Sequence, residues 1–551
     1  MKLGLWQVSA AARIAGAMPD HPTNTTDAAR RGQYFSKKAY EPEPLPAYAE
    51  LVGQLPSPVF DARPDWIAMY WKAWELAARN FNEPKPGSGF VSRFIDAAFN
   101  ENIFLWDTCF MTMFCNVAHP LVPGIESLDN FYARQHANGE ISREIVRATG
   151  ADFGAWVNRE GSPLYSTHGW EEPPEGPAPV VFVGRPEPQP APNLTLEALN
   201  NPLCAWAEME SYRVTGDAAR VAMVYPALVR YHGALKHYLR QGNGLYLTDW
   251  ASMDNSPRNP HLAGGGCAVD TSAQMVLFAR CLAGMAEIQG MEAEQRSWSG
   301  EAEELARLIN KHLWDPERSF YYDLSLDGRR VPVKTVAAFW TLLAGVAEPH
   351  QIAALAGELN NPDTFFRHHR VPTLAADEPG YDSAGGYWCG AVWAPTTTMV
   401  VRGLDRCNCH DLARAIALND MEITGRVFAR TGTLWENYAP DSDAPGTPAK
   451  NDFVGWTGIT PILFLLEYVI GLRPDAPSNT LVWDIRGESP AGCDRYRFNG
   501  HLVSLHAAPT GSGGGTLKVT VTADGDFTLR LHRMGITRDI AIHSGTQTLM
   551  V

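Results

Sequence analysis

Two carboxylic acids in this chain stand in company that suits proton transfer. Asp254 lies in Trp250-Ala-Ser-Met-Asp-Asn-Ser-Pro-Arg258, and Glu436 lies in Thr433-Leu-Trp-Glu-Asn-Tyr-Ala-Pro440. The chain holds 61 Asp and Glu residues, so neighbours decide which of them matter. Asp-Asn-Ser-Pro is also a good turn sequence, and taken alone Asp254 reads equally well as a solvated turn residue. Glu436, between Trp435 and Tyr438, is not in a typical solvated context. Aromatic surroundings desolvate a carboxyl group and raise its pKa. Cleavage of a glycosidic bond needs two such groups on opposite sides of the anomeric carbon, one to protonate the leaving oxygen and one to attack or to activate water.

Three further clusters combine a flat ring with polar groups able to bind hydroxyls in pairs. They are Trp106-Asp107-Thr108, Gln135-His136-Ala-Asn138-Gly-Glu140 and Gly386-Tyr387-Trp388-Cys389-Gly390-Ala-Val-Trp393. Trp is abundant at 17 copies. Flat indoles stack on the C–H faces of pyranoses, but they also fill cores, and composition alone leaves both uses open.

Helical periodicity dominates from about 62 to 472 and predicts twelve helices, at 62–80, 104–118, 124–135, 197–215, 217–240, 269–289, 293–313, 332–345, 349–358, 394–404, 410–428 and 460–471. In the sixth, Met275, Phe278, Leu282, Met285 and Ile288 share a face, Thr271 with Gln274 suggests a capping box, and Gly290 a stop. Pro395 and Pro461 suit first turns. Connections leaving odd-numbered helices are long, at 81–103, 136–196, 241–268, 314–331, 359–393 and 429–459, whereas those leaving even-numbered helices are short. Alternating outer and inner helices put all the long loops on one rim. All five clusters fall in those loops or at the helix starts they lead into. The expected fold is mainly α, an (α/α)6 barrel; an open twelve-helix solenoid fits the same pattern. From about 476 the period becomes two: Leu517, Val519 and Val521 alternate, Asp524-Gly525 turns, and Phe527, Leu529 and Leu531 alternate. Gly511–Gly515 precedes a strand and not a helix, which argues against a phosphate cradle. The expected domains are an extended arm at 1–60, the barrel at 61–475 and a small β-sandwich-like domain at 476–551.

A net charge of −15 argues against nucleic acid as a partner. The longest apolar runs, such as Ile459–Leu466, are too short to span a membrane. Nine cysteines, mostly in apolar helical contexts, suggest reduced thiols and a cytoplasmic location, and no signal-peptide pattern opens the chain. Cys407-Asn-Cys409-His410 lacks a second ligand pair, so neither a metal nor a cofactor is expected.

Taken together, these motifs resemble a known clan: glycoside hydrolase family 63 with the mannosylglycerate and glucosylglycerate hydrolases, and trehalases as relatives. The matching pieces are Trp106-Asp-Thr-Cys-Phe110, Met253-Asp-Asn-Ser-Pro-Arg258, Leu313-Trp-Asp-Pro316 with Tyr321-Tyr-Asp323, Tyr387-Trp-Cys-Gly390 with Val392-Trp393, and Trp435-Glu-Asn-Tyr-Ala-Pro440. Phe453–Gly471 resembles the closing inner helix. The resemblance implies Asp254 as general acid, Glu436 as general base, and inversion at the anomeric carbon. It also implies Asp107, Gln135, Tyr387, Trp388, Gly390 and Trp393 as glycone-binding residues. Trp106, Arg258, Trp435, Tyr438 and Trp456, in the same motifs and segments, complete the expected substrate-binding set. Cys389 stands where the family commonly has Arg, and trehalase signatures are absent. The expected activity is exo-acting hydrolysis of a small α-glycoside, with α-glucosides favoured by family company. Two alternatives stay open: a phosphorylase or polysaccharide lyase on the same barrel, and a non-catalytic sugar-binding protein.

Overall fold

The computed structural model describes residues 31–36, 39–42, 44–97, 99–137, 139–151, 202–248, 253–262, 266–325, 327–510 and 516–551. Most of the expected N-terminal arm, Asn138, most of the 136–196 connection, Trp250 and Gly511–Gly515 lie outside the described residues.

The helical region carries α1 (Pro64–Ala78), α2 (Leu105–Cys115), α3 (Asp129–Ala133), α4 (Cys204–Thr215), α5 (Ala218–Leu239), α6 (Val269–Ile288), α7 (Glu292–Leu313), α8 (Trp340–Leu343), α9 (Pro349–Leu359), α10 (Ala394–Arg406), α11 (His410–Thr431) and α12 (Ile459–Ile470). Two short turns, Tyr48–Leu51 and Asn259–Leu262, are left unnumbered. Each expected helix thus has a counterpart, though α3 and α8 are short α-helical turns preceded by 3₁₀ turns.

Local chemistry explains the boundaries. Asp217 caps α5 by accepting the Arg220 N–H at 2.9 Å, and Gly216 ends α4 in a left-handed conformation. The capping box expected at Thr271 is not formed. The sixth helix starts at Val269, and its first N–H donates to Asp323 Oδ1 at 2.8 Å, so a carboxylate from another segment does the capping. Pro395 does sit in the first turn of α10. α12 is a π-helix, closed by Gly471 at φ 92°, where a Cβ would meet the Asp484 carbonyl oxygen at 2.2 Å.

Packing follows the alternation. The even-numbered helices touch in sequence: α2 packs on α4, α4 on α6, α6 on α8, α8 on α10, α10 on α12, and α12 on α2. Nearly all of α6 is buried, whereas α7 buries only Ala302, Leu305, Ala306, Ile309 and Leu313 along one stripe.

The C-terminal region forms two sheets from β1 (Ser57–Phe60), β2 (Leu472–Asp475), β3 (Thr480–Asp484), β4 (Ala491–Phe498), β5 (His501–Pro509), β6 (Leu517–Ala523), β7 (Phe527–Arg533), β8 (Ile536–Ile542) and β9 (Gly545–Met550). One sheet runs β1-β4-β5-β6-β9 and the other β8-β7-β3-β2. Leu517, Val519 and Val521 of the first, and Phe527, Leu529 and Leu531 of the second, are buried as the alternation requires. Phe498 and Phe527 meet edge-to-face at 5.1 Å between the sheets. β1 departs from expectation. Residues 57–60 fall within the expected extended arm, but they pair antiparallel with Ala491–Asp494 and tie the start of the helical region to the C-terminal sheet.

Deep between α4, α10 and α12, Glu467 accepts from Arg213 at 2.7 Å and from Arg402 at 2.5 Å. The two guanidinium groups outweigh the burial penalty and hold its carboxyl down at about 2. Removing one member of such a cluster leaves buried charge uncompensated. Glu467→Gln is expected to cost about 3–5 kcal/mol in denaturant unfolding. Because the folded pKa lies below the ordinary 4.5, this stabilisation is present above pH 4.5 and is lost as pH falls from there toward 2. The acid-denaturation slope of the variant should be shallower over that range.

Candidate active site

Three carboxyl groups meet around one tyrosine. Burial pushes the Tyr387 hydroxyl pKa well above the ordinary value, and the charges of Glu436, Asp254 and Asp107 add to the rise. Each carboxyl arrives on a different segment.

Asp107 lies in the first turn of α2. That helix start is fixed by the pairing of Asn102–Phe104 with Glu144–Val146 and by the Leu105 N–H donating to the Arg143 carbonyl at 2.8 Å. A helix N-terminus favours ionised Asp, but burial wins here and raises the Asp107 pKa to about 7.

Asp254 sits in the turn expected from its sequence, closed by Ser256 N–H to the Met253 carbonyl at 3.0 Å. Asn259 Nδ2 donates to the carbonyls of Met253 at 2.7 Å and Asp254 at 3.3 Å. The Asp254 carboxyl keeps some exposure and has no hydrogen-bond partner among the described residues. Burial raises its pKa to about 6, against a smaller opposite pull from the Arg143 charge.

Glu436 is clamped. Its N–H donates to the Lys450 carbonyl at 2.9 Å, and its carbonyl accepts the Trp456 indole N–H at 3.0 Å. The residue is 4% exposed. Oε1 accepts the Tyr387 hydroxyl at 3.1 Å and Oε2 accepts the Lys450 backbone N–H at 3.0 Å. Burial nevertheless raises its pKa to about 7, and the Asp254 charge adds to the rise. Carboxyls poised near neutrality and within reach of one another's charge are the equipment of acid–base catalysis.

Indoles line the same region in a chain. Trp388 stacks on Trp393 at 4.3 Å and 5°, Trp393 lies 5.7 Å from Trp456, and Trp456 lies 5.9 Å from Trp106. Trp106, Trp388 and Trp456 keep a small exposed margin, but Trp393 has none. Trp393, an expected sugar ligand, is instead the buried backing of this row, and its N–H donates to the Tyr387 carbonyl at 3.3 Å.

Other expected ligands are also occupied elsewhere. Arg258 is fully buried and pairs with Asp270 at 2.5 Å and Asp323 at 3.3 Å. It anchors the Asp254 turn to α6 and takes no place on a cleft surface. Gln135 is fully buried, and its Nε2 donates to the carbonyls of Gly139 at 2.8 Å and Ala227 at 2.9 Å. The Tyr438 hydroxyl accepts the Trp435 N–H at 3.2 Å, and its backbone exchanges two hydrogen bonds with Val392. Tyr438 therefore shapes the Glu436 hairpin from behind. Trp435 is half-buried and its indole N–H donates to Thr431 at the end of α11. Gly390, at φ 152°, lets the backbone approach Asp382, whose carbonyl oxygen a Cβ would meet at 2.6 Å, so its place is conformational. Among the described residues no group of His, Cys, Asp or Glu forms a set able to hold a metal ion. All nine cysteines are free, and no described helix is long and apolar enough to cross a membrane.

Sequence reasoning missed Asn255, Lys450 and Arg143. Lys450 contributes its backbone N–H, which leaves no trace in residue type. Arg143 follows the Gln135–Glu140 cluster in the same connection, and that adjacency was its one available signal.

Residues 188–457 match the family described as the mannosylglycerate hydrolase MGH1-like glycoside hydrolase domain. An uncharacterized protein of Borreliella burgdorferi is 26% identical over 307 residues, which cover 52% of this chain and 63% of that one. Mannosylglycerate hydrolase MGH1 of Selaginella moellendorffii is 27% identical over 179 residues, 32% of this chain and 33% of that protein. The matches thus span less than two thirds of these relatives. Among solved structures, the GH63 mannosylglycerate hydrolase from Thermus thermophilus in complex with Tris and D-glycerate shares the fold, with a TM-score of 0.53 at 19% identity over 72% of this chain and 99% of that one. With the domain match over 188–457, that part of the chain is similar to the MGH1-like glycoside hydrolases, and it carries Asp254, Glu436 and the indoles of Trp388, Trp393 and Trp456 described above.

Proposed function

We propose that this enzyme hydrolyses the α-glycosidic bond of a small glycoside from its end, with inversion, on an (α/α)6 barrel. Asp254 is the general acid and Glu436 the general base. The sequential packing of α2, α4, α6, α8, α10 and α12 back to α2 supports the barrel. The single observation carrying the mechanism is the contrast between the two carboxyls. Glu436 is held by donors to both oxygens, while Asp254 has no partner among the described residues.

That contrast fits the division of labour. Donors to both oxygens favour ionised Glu436 and leave one lone pair on each for a water. A carboxyl without a partner has its proton, when it carries one, free for the glycosidic oxygen. In the proposed reaction Glu436 removes a proton from water as the water oxygen bonds to the anomeric carbon. Asp254 delivers its proton to the departing oxygen as the C–O bond breaks. The two carboxyls are then expected about 6.5–9.5 Å apart. Tyr387 orients the base; Trp106, Trp388 and Trp456 offer apolar edges to the ring, and Asp107 accepts its hydroxyls. An α-glucoside is the first reading, favoured by the company of the family that the motifs resemble. An α-mannosylglycerate is the second reading, favoured by the names of the matching family and of the Selaginella relative.

Asp254→Asn and Glu436→Gln are each expected to lower kcat by at least ~10²-fold on the best of a panel of α-linked glucobioses, glucosylglycerate and mannosylglycerate, with folding intact by circular dichroism. Near-normal turnover in either variant removes that residue from its role. Release of free sugar only when phosphate is supplied points to a phosphorylase.

The pKa values also fix a pH profile. Base action needs Glu436 ionised, which is complete only above about 7, and acid action needs Asp254 protonated, which is complete only below about 6. The productive form is therefore a minority, greatest near pH 6.5, where it is roughly one molecule in twenty. A narrow bell in kcat/KM is expected, with apparent limbs that belong to the pair. A flat plateau from pH 5 to 8 contradicts it.

A further inference from the structure

Between the two carboxyl-bearing loops lies one side chain that links the acid loop to the turn carrying Tyr387. Asn255, next to Asp254, donates from Nδ2 to the Gly386 carbonyl at 2.9 Å and accepts the Trp388 N–H on Oδ1 at 2.9 Å. Its own backbone carbonyl accepts the Cys389 thiol at 3.3 Å. One residue thus makes three contacts to a single turn, and only one orientation of its amide makes both side-chain bonds. The turn needs this support. Gly386 stands at φ 53° and Tyr387 at φ 64°, the left-handed region that a tyrosine adopts at a cost. The same Tyr387 delivers its hydroxyl to Glu436.

We propose that Asn255 is a positioning residue that couples the acid to the base: it fixes the Asp254 turn on the 386–389 turn, which in turn orients Glu436 through Tyr387. The Asp254 carboxyl has no hydrogen-bonded partner among the described residues, so its place is set by its backbone. Cys389 serves this link as a donor to the acid loop. The inference rests on the acid and base roles proposed above.

The chemistry restricts what can replace Asn255. Asp accepts the Trp388 N–H but has no donor for the Gly386 carbonyl, and Ala loses both bonds. Small displacements at a reacting centre cost rate more than binding, so Asn255→Ala is expected to lower kcat about 10²-fold with KM changed less than about threefold. Asn255→Asp should fall similarly. The pH profile should move as well. The Asp254 charge raises the Glu436 pKa, so an Asp254 that drifts away lowers it, and because the base has the higher pKa of the pair this shifts chiefly the alkaline limb to lower pH. Cys389→Ala should lower kcat, while Cys389→Ser, which keeps a donor, restores it.

The experiment measures kcat, KM and the pH profile for these four variants beside Asp254→Asn. Normal kcat in Asn255→Ala with Asp254→Asn inactive overturns the coupling and leaves the acid role standing. Normal kcat in Asp254→Asn overturns the acid role itself. A loss in Asn255→Ala that is confined to thermal stability, with the pH profile unmoved, also overturns the coupling. If Asn255→Ala does not fold, the Cys389 pair decides: equal activity of Ala and Ser at that position contradicts the proposal.

Discussion

A glutamate that must carry charge while 4% exposed constrains most of what surrounds it. Ionising a buried carboxylate costs several kcal/mol unless donors replace the lost water. Glu436 has two, the Tyr387 hydroxyl and the Lys450 N–H, and they limit the rise of its pKa to about 7. Each donor needs its own scaffold. Tyr387 requires a left-handed turn, which Gly386 and Gly390 permit and Asn255 holds. Lys450 requires the strand-like return of the 433–452 hairpin, in which Trp435 bridges Asn451 and Tyr438 bridges Val392. The indole of Trp456 then ties the hairpin to the segment leading into α12.

The rest of the fold keeps charge out of the wrong places. Two other buried clusters, Arg258 with Asp270 and Asp323, and Glu467 with Arg213 and Arg402, set opposite charges against each other and hold helices together. Both join segments far apart in sequence. The active-site carboxyls are the contrasting case: burial dominates their pKa values and outweighs the pull of Arg143 and Lys450.

Much of this was legible in the sequence because it depends on periodicity and punctuation. Apolar spacing located the twelve numbered helices of the described residues, and the alternation at 517–531 located two strands of the C-terminal sheets. The carboxyl pair stood out through its aromatic neighbours. What could not be read was direction. Arg258, Gln135 and Trp393 have the side chains of sugar ligands, but whether such a group faces a cleft or the core depends on partners such as Asp323 or Ala227, distant in sequence. The strand at Ser57–Phe60 is too short to show alternation, and its partner, Ala491–Asp494, lies near the other end of the chain. The cap of α6 was misplaced for a similar reason: it comes from Asp323, not from a neighbouring threonine.

The proposed chemistry turns on whether a water activated by Glu436, and not the carboxylate itself, reaches the anomeric carbon. Proton NMR of the first product formed from an α-linked substrate reads this directly, before mutarotation mixes the anomers. Inversion predicts that the β-anomer appears first. Early accumulation of the α-anomer would mean double displacement and would contradict it.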